Sequence, residues 1–153
     1  MPFDIRSGVR QGSSLSPVIF KIFINAFIIK LRKVNTGCTI NGVFVGCIMY
    51  ADNLILISAT VNGLQTMLNC CFNVSVNLLL KFNCAKSPNF AIGKGHAFNI
   101  SNMQLGNDSI SWSSSFKYLR ISFIAGKFFP VDIDVLRRKF RSACNCILGN
   151  TQY

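Results

Sequence analysis

Residues 42–59 read GVFVGCIMYADNLILISA: two apolar runs that meet at the polar tetrapeptide Tyr50-Ala51-Asp52-Asn53. Each run reads as a buried strand, so the chain reverses at the tetrapeptide as a β-hairpin with an Asp-Asn pair at its turn. A lone carboxylate at the tip of such a hairpin is costly to desolvate unless a partner or a metal accompanies it. Asp52 is therefore the first candidate functional residue, and the amide beside it needs explaining.

Other elements fall into place on either side. A first strand, PFDIR, runs into the Gly-rich loop SGVRQGSSL. Ser16-Pro17 predicts a helix start, with Ser as N-cap and Pro at the first helical position, continuing to about residue 33. Ile19, Phe20, Phe23, Ile24, Phe27, Ile28 and Leu31 recur at helical spacing and predict a broad core face. Asn41-Gly42 predicts a type I′ turn. Thr60 can cap a helix over about 61–80, with Leu64, Met67, Leu68, Cys71 and Phe72 as its apolar stripe. Short strands are predicted near 80–83, 89–92, 103–105 and 109–112, and FKYLRISFIA (116–125) as a further strand. A basic helix over about 131–148 follows. Helices backing an antiparallel sheet make this an α+β chain without repeats or a linker.

Charge narrows the partner. The chain has 16 Lys and Arg against 5 acidic residues, all Asp, for a net +11. Such an excess is the electrostatic footprint of a phosphate-rich partner or an anionic membrane surface. Membrane spans are not expected, because the apolar run 17–31 is interrupted by Lys21, Asn25 and Lys30, and the run 43–59 carries Asp52 at its centre. The N-terminus lacks a signal-peptide pattern, so an intracellular location, nuclear or cytoplasmic, is expected. The 7 cysteines include no CxxC, and the spacing of Cys144, Cys146 and His96 does not suit a zinc knuckle.

Four segments in order, GVRQGSSLSPVIFKIFIN, IMYADNLILIS, LLLKFNCAKS and KYLRISF, resemble the palm of a reverse transcriptase of the LINE-type, non-LTR retrotransposons. The resemblance spans about residues 3–148. It implies a partial right-hand palm over about 3–125 and the start of a thumb over about 126–153. It implies an RNA-directed DNA polymerase that copies an RNA template onto primed DNA from deoxynucleotides. The cofactor implied is Mg2+ or Mn2+, two ions held by carboxylates on a rigid turn. In that frame Asp52 is a catalytic metal ligand, with Asn53 beside it and Lys86 as a general acid toward pyrophosphate. Arg10, Gln11, Gly12, Ser13 and Tyr50 would meet nucleotide and template, and Tyr118 and Leu119 would belong to the primer grip. Arg137, Arg138, Lys139 and Arg141 would track the nucleic-acid backbone.

Three departures accompany the resemblance. The family carries a further aspartate well upstream of the Gly-rich loop, together with fingers, and the 153 residues include neither. Its tetrapeptide ends in Asp-Asp where this chain has Asp52-Asn53, and its YLG reads Tyr118-Leu119-Arg120. An amide oxygen coordinates weakly and brings no charge. The expectation is a polymerase fragment that does not polymerise alone, its uncovered apolar surface free to dock a separate fingers-bearing fragment. The alternative is a non-catalytic RNA- or DNA-binding protein of retrotransposon descent.

Overall fold

The structure is a computed structural model and describes residues 12, 14–93, 101–128 and 131–149. Its elements are helices and small antiparallel sheets, an α+β chain. Helix α1 is Ser16–Lys33; strands β1 to β4 are Thr39–Ile40, Val43–Phe44, Cys47–Tyr50 and Asn53–Leu56; helix α2 is Val61–Asn77. After a 3-10 turn at Cys84–Lys86 come β5 (Met103–Leu105), β6 (Asp108–Ile110), β7 (Ser115–Tyr118), β8 (Ile121–Ile124), β9 (Val131–Asp132) and helix α3 (Asp134–Gly149). The strands form four small sheets, β1-β2, β3-β4, β5-β6 and β7-β8-β9, where one backed sheet was expected. The chain divides into two compact units, one made of 1–83 with 104–108, the other of 84–103 with 109–153.

In the first unit α1 and α2 pack together. The core is Ile24, Phe27 and Leu31 from α1 with Met67, Leu68, Cys71 and Val74 from α2, all buried. The predicted α1 face is narrower than its sequence suggests: Ile19 and Phe23 are 47% and 39% exposed. Phe82 adds a ring 6.0 Å from Phe27. Gln65 reaches the middle of β5, where its Nε2 donates to Gln104 O at 2.7 Å and its Oε1 accepts from Gln104 N at 2.9 Å. The side-chain amide thereby bonds the backbone as a neighbouring strand would. Burial pushes the Cys71 thiol well above the ordinary thiol range, reinforced by neighbouring Cys70 and Cys47. Cys71 is accordingly a small hydrophobe rather than a nucleophile.

Helix ends show where local chemistry decides. Thr60 caps α2 as predicted, its side chain accepting from Gly63 N at 3.0 Å. Ser16 does not cap α1: Leu15 is already helical, and its carbonyl accepts from Val18 N and Ile19 N at 3.1 Å. Asn41 and Gly42 have φ of 50° and 77°, the type I′ geometry expected of them. Residues 80–83 form no strand. The α2 terminus turns there instead, with Leu79 at a φ of 54° and Leu80 N bonded to Ser75 O at 2.9 Å.

The second unit is built on rings and one amide. Phe116 stacks on Phe123 at 5.0 Å and meets Phe90 edge-on at 4.7 Å. Asn89, 6% exposed, donates from Nδ2 to Ile110 O at 2.7 Å, so its burial is compensated. Residues 89–92 contribute only isolated bridges, Asn89 to Trp112 and Ile92 to Gly126. FKYLRISFIA is a hairpin rather than a single strand, since β7 and β8 pair in antiparallel register with Leu119-Arg120 as the turn.

Candidate functional site

The hairpin apex follows from strand register. Cys47 pairs with Leu56, Ile48 with Ile55, Met49 with Leu54 and Tyr50 with Asn53. The two-residue loop is therefore Ala51-Asp52, and Asn53 opens β4 instead of completing the turn. Ala51 takes a φ of 51°, a left-handed conformation uncommon without glycine. Alternation sorts β3: Cys47 and Met49 are half-buried with their partners Leu56 and Leu54 on one face, while on the other Ile48 and Tyr50 are 46% and 62% exposed and Ile55 is half-buried. On the half-buried face, desolvation raises the Cys47 thiol above its ordinary value, with Arg32 partly opposing.

Asp52 is exposed, so the desolvation cost expected of a buried carboxylate does not arise. Its partner is local, since Asn53 Nδ2 donates to Asp52 Oδ1 at 3.4 Å. This donor set can be tested against the ions the resemblance implies. Two divalent cations about 3.5–4 Å apart bring four positive charges, whereas the apex presents one carboxylate and one amide. Among the described residues no group of three or more His, Cys, Asp or Glu side chains converges. The apex residues do not by themselves fit a two-metal centre.

The remaining predicted residues lie as follows. Gly12 is exposed at a φ of 81°, whereas Arg10, Gln11 and Ser13 lie outside the described residues. Lys86 closes the 3-10 turn Cys84–Lys86 and is exposed. Tyr118 ends β7, and its hydroxyl is buried without a hydrogen-bond partner among the described residues. Leu119 and Arg120 both have positive φ, 47° and 69°. Arg137, Arg138, Lys139 and Arg141 are all exposed on α3. Tyr50, Asp52 and Asn53 are thus brought together in the first unit, while Lys86, Tyr118, Leu119 and the basic helix belong to the second. Leu119 and Arg120 form the β7-β8 turn, so Arg120 stands at the bend where the resemblance expects the glycine of YLG.

Comparison with known proteins decides the family. Residues 2–123 match the family described as reverse transcriptase (RNA-dependent DNA polymerase). The chain belongs to the reverse transcriptase family. It is 39% identical over 62 residues to the Retrovirus-related Pol polyprotein from type-1 retrotransposable element R2 of Nasonia vitripennis, covering 40% of this chain and 6% of that protein. It is 25% identical over 130 residues to the Retrovirus-related Pol polyprotein from type-2 retrotransposable element R2DM of Drosophila melanogaster, covering 77% of this chain and 12% of that protein. The resemblance to non-LTR retrotransposon polymerases is thereby borne out, and this reverse transcriptase chain spans only a small part of those relatives' length. Within the matched region stand the hairpin apex, Lys86 and the β7-β8 turn, while α3 follows it.

Proposed function

We propose that this chain is the palm, about 3–125, and the start of the thumb, about 126–153, of an RNA-directed DNA polymerase of a non-LTR element, and that it binds primed template without extending it. The observation that supports the reading is the apex: inside the matched region, register leaves Asp52 on the loop and opens β4 with Asn53, an amide at the position where the resemblance implies a second carboxylate. In the intact family the substrates are an RNA template, primed DNA and deoxynucleotides, with Mg2+ or Mn2+. In this reading Asp52 is the retained ligand and Lys86 the proton donor toward pyrophosphate. Gly12 with Arg10, Gln11 and Ser13 abuts the nucleotide, Tyr118 and Leu119 hold the primer end, and the α3 cations meet phosphates. The non-catalytic half rests on charge, because an amide oxygen cannot offset a second divalent cation.

Mn2+ titration and primer extension test both halves. The expected result is weak Mn2+ binding, tightened about tenfold or more by Asn53→Asp and lost in Asp52→Ala, a change worth at least about 1.4 kcal/mol. Primed RNA–DNA binding at low salt should be indifferent to Asp52→Ala. Incorporation by the unaltered chain that Asp52→Ala abolishes would show that it is a polymerase after all. Undetectable binding at low salt would remove the nucleic-acid role.

A further inference from the structure

Helix α3 holds an apolar seam in water that a nucleic acid would leave uncovered. Leu136, Phe140, Ala143 and Ile147 of α3, with Ile133 just before its first residue, recur at alternating spacings of three and four, the a/d pattern of a helix that packs lengthwise on another helix. Ile133, Leu136 and Phe140 are 42%, 40% and 71% exposed, and Ala143 is exposed as well. At 3.6 residues per turn, Arg137 and Lys139 flank this seam on its two sides, whereas Arg138 and Arg141 lie away from it. Asp134 is the sole acidic residue of α3, and its ion pair with Arg137, 3.8 Å between exposed side chains, is too weak to neutralise that flank.

We propose that the seam is the docking surface for an amphipathic helix of a partner polypeptide whose own apolar a/d stripe is flanked by carboxylates. Apolar area calls for an apolar occupant, and the a/d spacing calls for a helix. Charge complementarity sets the flanks of that helix, because Arg137 and Lys139 border the seam and the chain as a whole carries a net charge of +11. A second copy of α3 would bring a basic-flanked stripe against a basic-flanked stripe. A phosphate backbone would neutralise the arginines and leave Phe140 in water. The two surfaces of α3 are separable: Arg138 and Arg141 can face phosphates while the seam is covered. The inference stands on helix geometry and charge and does not depend on the polymerase reading.

The full chain is titrated with two synthetic three-heptad peptides that share Leu and Ile at a and d, one with Glu at e and g, the other with Lys. The glutamate peptide should bind at least about tenfold tighter at low salt, and salt should narrow the gap. Phe140→Ala should weaken it about tenfold while Phe140→Leu retains it, with helix content unchanged by circular dichroism; the exposed ring makes unfolding an unneeded explanation. Equal binding of both peptides, or indifference to Phe140→Ala, overturns the proposal. So does a concentration-dependent dimer of the chain that Phe140→Ala dissolves, which would make a second copy the occupant. Binding to anionic phosphatidylserine vesicles by a chain that ignores the glutamate peptide also overturns it.

Discussion

Arg120 occupies a position that asks for glycine. Leu119 and Arg120 join β7 to β8 in a two-residue turn with φ of 47° and 69°, the pair of left-handed conformations that Asn-Gly adopts with little strain. A side chain in that region costs about 1–2 kcal/mol. Arg120→Gly should therefore stabilise the chain by roughly 1 kcal/mol, read as a higher urea midpoint with an unchanged slope. A lower midpoint would mean that the guanidinium makes a contact worth more than the strain. The same comparison of geometry with chemistry applies at the other hairpin, where Ala51 carries the positive φ and leaves Asp52 and Asn53 side by side. The place of Asp52 on a hairpin loop was legible from its apolar flanks alone. Its exposure was not, because apolar runs report strands but not how deeply a two-stranded ribbon is covered.

Elements were legible where one residue type suffices to fix an end. Thr60 sets the start of α2, and Thr60→Ala should cost about 1 kcal/mol by removing the acceptor for Gly63 N, measurable by thermal or urea unfolding. No change would show that the Thr60 hydroxyl contributes nothing to that end. The Asn41-Gly42 turn was legible for the same reason, since its dipeptide matches the required dihedrals. The end of α2 was not. Its left-handed residue is Leu79, 88% exposed, where glycine would ordinarily announce the stop, so the sequence reads as helix continuing toward 80 and then a strand. The start of α1 misleads in the opposite sense, because Ser16-Pro17 has the composition of a cap while Leu15 carries the helical dihedrals. Composition alone hides the turn in FKYLRISFIA, because Leu and Arg are not turn residues; only the likeness to YLG marks it. Helix faces were overestimated from periodicity alone: α1 buries Ile24, Phe27 and Leu31 but leaves Ile19 and Phe23 substantially exposed.

At the scale of the whole molecule, the order of four motifs carried the family, and no single motif could have done so. What local pattern could not supply was the grouping of strands into four small sheets, which depends on long-range pairing rather than on alternation. Net charge, by contrast, is a whole-chain property that survives any error in element boundaries. At +11, nucleic-acid binding should be dominated by released counterions. If Arg137, Arg138, Lys139 and Arg141 each neutralise one phosphate, log K should fall against log salt with a slope of about −3.6, at roughly 0.9 per contact on duplex. Replacing Arg138 and Arg141 together with alanine should flatten that slope by about 2, uniformly across sequences, because phosphate contacts carry no base information. A slope that stays unchanged in the double variant means that Arg138 and Arg141 make no phosphate contact and that the contacts lie elsewhere on the basic surface. A flattened slope with peptide docking intact would establish that one short helix serves two partners from two sides.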